Sequence, residues 1–202
     1  MSLLTLGLEY ITVDSNSKGK FVVMDADNNI MLKVKPCDTT FHHQRLLINA
    51  DGKPLLMLRD KILSKHTRWN GFSGKSTAKS NKIFSTKTPN IIQFGNRLHV
   101  FLANKPSSSK DVCDFKIKGS WKKKNCTIYM GDSSTILAQM HKMEKSKKVK
   151  AAKGRFMVTI SPNVDYAFVI ALIAIVHAMK STDDEYAEAI TTSVVEIIGA
   201  AV

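Results

Sequence analysis

The chain has 202 residues, 44% of them hydrophobic, which suits one domain with a sizeable core and excludes wholesale disorder. Lysine and arginine outnumber aspartate and glutamate by 30 to 17, a formal net charge of +13. Such an excess draws polyanions (anionic lipid, nucleic acid or acidic protein) without fixing a fold, and a solvated basic surface with no dedicated partner is the plainer alternative.

The opening MSLLTLGLEYITVD lacks the basic start and small-residue cleavage site of a secretory leader. Its alternation fits a first strand, or an arm lying on the domain. The three cysteines, Cys37, Cys113 and Cys126, show no CxxC spacing and suit a reducing, intracellular setting. From residue 20 to about 160, short apolar runs alternate with turn residues. Phe21–Met24 and Ile30–Val34 flank DADNN; Leu46–Asn49 and Leu55–Arg59 flank ADGKP, where Asp51-Gly52 signals a hairpin. Ile91–Phe94 and Leu98–Leu102 flank Gly95-Asn96, the sharpest two-residue hairpin signal, and Cys126–Met130 and Thr135–Met140 flank Gly131-Asp132. Leu98, Val100 and Leu102 share one face of a strand; Phe115 and Ile117 oppose Lys116 and Lys118 on another. One dry and one wet face per strand is the habit of antiparallel sheets, and about a dozen such strands point to a sandwich or a barrel. Residues 75–82 and 104–111 are polar, small and basic and are expected as exposed loops, and His141 to Arg155 is a lysine-rich connection before the last strand.

Next comes an apolar helix. From Tyr166 to Val176 no residue is charged or strongly polar, and Ala167, Phe168, Val169 and Ile170 alone cover every side. A helix that is apolar all round is buried in protein or in lipid. Asn163 can cap it, and Asp165 supplies a negative charge to its first turn. Val164 to Met179 spans about 24 Å, short of the ~20 residues a bilayer core needs but matched to the height of a small barrel. Ala167, Ala171, Ala174 and Ala178 would let one side approach strands closely, while Phe168, Ile170, Leu172 and Ile175 fill wider space. After Lys180 the chain changes character. Thr182 and Glu185 have capping-box spacing and Ala187, Ile190, Val194 and Ile197 make an apolar stripe, against weak helix formers at Thr191, Thr192, Val194 and Val195. A second helix and an unfolded tail are both open.

These pieces resemble the plant LURP-one-related proteins, of the tubby-like and phospholipid scramblase-like superfamily. The residues that carry the resemblance are FHHQRLLINADGKPLLMLRDKILSKHTRWNGF (41–72), CDFKIKGSWKKKNCTIYMG (113–131), AQMHK (138–142) and PNVDYAFVIALIAI (162–175). It implies a mainly β fold: a closed antiparallel barrel of about twelve strands around a central hydrophobic C-terminal helix (164–179). Residues 1–180 would form that unit and 181–202 a tail. Where relatives carry an acidic residue in a pattern like GKDxF, this chain reads Lys153-Gly154-Arg155-Phe156.

Motifs for catalysis are weak. GFSGKST (71–77) places Trp69 where a phosphate-binding loop needs its first glycine, and no apolar helix follows. Asp25, Asp27 and Asn29 begin like a calcium loop, yet Ile30 and Pro36 occupy its glycine and glutamate positions, so a hairpin turn is expected. His42 and His43 are adjacent on a strand and point to opposite faces, and His66, His99, His141 and His177 lack partners at ligand spacing. A lumen filled by a helix has no central cavity for a substrate. The chain is therefore expected to be non-enzymatic, without cofactor, metal or small-molecule substrate.

Charge remains. Lys122, Lys123 and Lys124 follow Trp121 at a turn, and Lys142, Lys145, Lys147, Lys148, Lys150, Lys153 and Arg155 crowd one connection. Lysines beside an anionic bilayer are worth ~1 kcal/mol each, enough together for reversible attachment. These ten residues are the candidate site for anionic lipid headgroups, and the superfamily resemblance adds phosphoinositides and a membrane-tethered transcriptional role in plant defence. Trp121 is a candidate for the headgroup layer, or a packing residue. The rival readings are a nucleic-acid-binding protein using the same lysines and a protein-interaction scaffold using Asp183–Val202. A monomer is expected, in the cytoplasm, at the inner plasma membrane or in the nucleus, with no transmembrane span.

Overall fold

The computed structural model describes residues 9–15, 19–62, 68–89, 97–105, 112–143 and 154–179. Twelve strands follow one another: β1 (Glu9–Ser15), β2 (Phe21–Met24), β3 (Ile30–Pro36), β4 (Gln44–Asn49), β5 (Pro54–Asp60), β6 (Trp69–Ser73), β7 (Lys82–Lys87), β8 (Arg97–Leu102), β9 (Phe115–Lys118), β10 (Thr127–Met130), β11 (Ile136–Lys142) and β12 (Arg155–Ile160). A 3-10 turn, Lys79–Asn81, precedes β7. Each strand pairs antiparallel with its sequence neighbours, and β12 returns to β1, so the sheet is a closed barrel without edges. Helix α1, residues 166–179, follows β12 and is enclosed by it.

Alternation dictates what faces inward. In β12, Phe156, Val158 and Ile160 are buried and lie in one core with Ile11 and Val13 of β1, Leu32 and Val34 of β3, and Leu98 and Val100 of β8. Ala167, Val169, Ile170, Ala171, Leu172, Ile173, Ala174 and Ile175 belong to that same core and are all buried to 3% exposure or less. The helix is thus enclosed by protein on every side. Among the described residues, no helix is long and apolar enough to cross a membrane. Its cap differs from expectation. Asn163 sits in a left-handed turn at φ 63°, and it is Asp165 whose Oδ1 accepts from the backbone N–H groups of Ala167 (2.8 Å) and Phe168 (3.1 Å). Because the cap lies two residues later, the helix starts at 166 rather than 164.

Closure has its own chemistry. Asp14 and Arg155 are register partners across the β1–β12 seam, with Arg155 Nη2 3.1 Å from Asp14 Oδ2. Arg155 therefore sits opposite an acidic partner at this position. Beside it, Ser15 Oγ donates to the Gly154 carbonyl at 2.7 Å, and Gly154 takes φ +107°. A Cβ there would lie 2.1 Å from the Ser15 carbonyl oxygen, so the seam admits only glycine. Gly71 is needed for a different reason: a Cβ would fall 2.2 Å from the buried Phe84 ring, which lies across β6.

The hairpin expected around Gly95-Asn96 falls on residues 90–96, outside the described residues; β8 has β7 on one side (Phe84↔Leu102) and β9 on the other (Leu98↔Ile117). One expectation needs correction. The lumen is not filled to both ends. α1 leaves a cup of about 350 Å³ at the end where it starts. The DADNN turn forms as expected, with Asp25 Oδ1 accepting from Asp27 N–H (2.9 Å) and Asn29 N–H (2.8 Å). Gly74 turns GFSGKST at φ +68°, straight after β6. The polar loop at 106–111 and the tail 181–202 lie outside the described residues.

Ala171 is wholly buried at the middle of α1. Ala171→Asp places an unpaired charge there at a cost of several kcal/mol, a large share of the ~5–15 kcal/mol that holds a domain folded. The variant is expected to lose its cooperative thermal transition by circular dichroism, while Ala171→Gly keeps one at lower temperature.

Candidate anion-binding end of the barrel

In an up-and-down barrel, successive connections alternate between the two ends. β1–β2, β3–β4, β5–β6, β7–β8, β9–β10 and β11–β12 therefore join at the end where α1 finishes, and the remaining turns at the end where α1 begins. Lys122–Lys124 in the β9–β10 connection, and Lys142 and Arg155 where β11 ends and β12 begins, therefore lie at one end. There Lys122, Lys123 and Lys142 are exposed, and Lys20, Lys61, Arg97 and Lys118 add exposed charge from the neighbouring connections and strand ends. Lys145, Lys147, Lys148, Lys150 and Lys153 lie outside the described residues. The carboxylates described at this end are all engaged: Asp14 with Arg155, Asp38 with Arg45 (2.6 Å) and Asp60 with His42 (3.0 Å). The opposite end mixes Asp25, Asp27, Asp51, Asp114, Asp132 and Asp165 with Lys53, Lys75, Lys79, Lys82 and Lys105, so the excess of positive charge lies where α1 finishes. The barrel is electrically polarised along its axis.

Not every candidate lysine is available. Lys124 folds back with its Nζ 3.4 Å from the centroid of the Trp121 ring and 4.9 Å from that of Phe156, and burial pulls its ammonium down to about 8. Trp121 in turn stacks on Phe21 (6.0 Å) and meets Phe156 (5.3 Å) and His177 (4.8 Å) edge to face. Trp121 is a packing residue that closes the mouth of the barrel, and Lys124 is its lid. A positive φ of 52° at Lys124 makes that fold-back. Arg155 likewise spends its charge on Asp14.

Sequence reasoning missed two residues. Phe41, in the β3–β4 connection, is 75% exposed, and Ile62, just after β5, is 40% exposed. Both lie at the basic end. Exposed apolar side chains rimmed by lysines are the pattern of surfaces that dip into a headgroup layer. No periodicity marks them, since exposure in a connection is set by the ends of strands far apart in sequence. The cysteines are free, and burial pushes the Cys126 thiol up to about 11, which leaves it protonated and unreactive.

A mainly β barrel, closed by twelve antiparallel strands and threaded by one apolar helix, defines the tubby-like class of architecture. The chain belongs to the LURP-one-related family, whose model matches residues 11–177. It is 37% identical over 169 residues to Protein LURP-one-related 15 of Arabidopsis thaliana, covering 84% of this chain and 77% of that relative. To Protein LURP1 of the same plant it is 39% identical over 157 residues, 78% of this chain and 75% of the relative. The X-ray structure of an Arabidopsis thaliana protein superposes with a TM-score of 0.64 at 33% identity, covering 86% of this chain and 93% of that one.

His177 packs against Trp121 and Phe21 near Lys124 and Arg45, and burial first, then those two cations, push its imidazole down to about 4. It is neutral in the folded protein at pH 6 but would be half protonated near pH 6.5 in the unfolded chain. A lowered histidine adds stability above about pH 6.5 that is lost as the pH falls toward 4, because only the unfolded state takes the proton. Thermal melts at pH 7 and pH 5 are expected to differ more for wild type than for His177→Phe. Discounted for partial exposure, the gap is about 1–2 kcal/mol.

Proposed function

We propose that this protein is a non-catalytic module that attaches reversibly to anionic membrane surfaces through the end of the barrel where α1 finishes. The observation that carries this reading is the segregation of charge. Exposed Lys20, Lys61, Lys118, Lys122, Lys123 and Lys142 gather with exposed Phe41 and Ile62 at one end, while carboxylates and lysines are nearly balanced at the other. A few kcal/mol from such lysines holds a protein at a bilayer and lets salt release it. Phosphoinositides, the most highly charged headgroups, would bind best. The central lumen supports the non-catalytic part, because the side chains of α1 occupy it. Attachment of this kind would suit a membrane-tethered regulator. Direct reading of DNA is less well supported: the α-helix described here is buried and cannot enter a groove.

Liposome flotation tests the proposal. Wild type is expected to float with vesicles containing phosphatidylinositol bisphosphate, weakly with phosphatidylserine and not with phosphatidylcholine, and 0.5 M salt should release it. The double variant Lys122→Glu, Lys123→Glu should bind about tenfold or more weakly. Lys124 is left intact because it packs on Trp121. Equal flotation with neutral and anionic vesicles, or stronger competition by duplex DNA than by the headgroup, would end this reading.

A further inference from the structure

The two ends of the barrel differ in more than charge. Where α1 begins, the plug stops short and leaves a cup of about 350 Å³. Its floor is Phe168, which meets Phe84 at 5.3 Å and Phe115 at 5.1 Å. Leu56 and Leu137 form walls, and Leu102 and Met130, 37% and 50% exposed, stand at the rim. Among the described residues, exposed large apolar side chains concentrate at this end: Ile30, Val112 and Ile136 join Leu102 and Met130, whereas Phe41 and Ile62 lie at the other. Among the described residues, Asn163 and Asp165 are the polar ones that line the cup.

We infer that this cup binds a small, uncharged, apolar molecule carrying one hydroxyl or no polar group. Its size sets the class. At roughly 30 Å³ for a group the size of a water or a methylene, the space takes about ten to twelve heavy atoms, at the small end of ligand cavities. Its chemistry excludes an anion. A helix N-terminus ordinarily attracts one, but here the N–H groups of Ala167 and Phe168 are already taken by the Asp165 carboxylate, and that of Val169 by the Asp165 carbonyl. A ligand carboxylate would face Asp165 itself. A hydroxyl is accepted, since a side-chain oxygen of Asp165 or Asn163 can accept its hydrogen bond. Location excludes a chain drawn from the membrane that the proposed function invokes. The cup opens at the far end of α1, about 21 Å from the basic end at 1.5 Å per residue. The ligand arrives from solution, and its binding is independent of lipid attachment.

Titration of the full chain with the fluorescent probe 1-naphthol, uncharged and of eleven heavy atoms, followed by displacement with 1-decanol, reads this out. Saturable one-to-one binding displaced by 1-decanol is expected, with decanoate about tenfold or more weaker. Leu102→Trp and Met130→Trp fill the cup from exposed positions and should each weaken binding about tenfold or more, with melting temperature unchanged. Ile30→Trp, exposed at the same end but outside the cup, should bind as wild type does, and so should Lys122→Glu, Lys123→Glu. Absence of saturable binding, no effect of either rim variant, or decanoate matching 1-decanol would each overturn the inference. So would phospholipid vesicles displacing the probe, which would make the source a bilayer chain.

Discussion

The structure depends on a mutual burial: a helix with no polar side and a barrel with nothing else to fill it. Neither is stable alone. Exposed to water, Ala167 to Ala178 would present an unbroken apolar cylinder, and without it the inward side chains of twelve strands would line a void. Their union explains why small and large residues alternate around α1. The alanines admit the barrel wall closely, and Phe168 meets the aromatic side chains of β7 and β9. It also explains why the seam residues are so constrained. A side chain at Gly154 would push β12 away from β1 at Ser15, whereas the part-exposed Asp14–Arg155 pair adds at most about 1 kcal/mol to the ladder.

A filled lumen confines function to the surface and the ends. Helix direction gives those ends different characters. Where α1 finishes, its carbonyl dipoles favour nearby cations, and Lys124 and Arg45 stand close to His177 there. Where it starts, Asp165 satisfies the free N–H groups and leaves the cup apolar. One helix thereby lies between the proposed basic face and a largely apolar recess edged by Asp165. The two proposed sites sit at opposite ends of the barrel.

Much of this was legible in the sequence, for physical reasons that differ by element. Alternation fixes which face of a strand is dry, so Phe115 and Ile117 could be assigned inward from their lysine neighbours alone. Composition settled the helix, since no solvent-facing side can be drawn on residues 166–176. Strand partners were harder. Gly95-Asn96 is a local turn signal, but no local signal names the partner on the other side of β8, which β9 takes. Lysines read alike in a sequence but divide in the fold: Lys122 and Lys123 point outward, and Lys124 lies over Trp121. Phe41 and Ile62 carry no local mark, and the cup arises from six strands and the start of α1, which no window of residues contains.

Native-state hydrogen exchange across the plug and the seam tests the enclosure of α1 most directly. If the helix is held on all sides by a closed barrel, the amides of Ile170 to Ile175 can open only when the barrel does. Their opening free energies should equal those of the β1 and β12 amides paired across the seam, and rise and fall with global stability as denaturant is added. Helix amides that exchange through a cheaper, denaturant-independent opening while the seam stays protected would contradict it, because the helix would then leave the barrel without unfolding it.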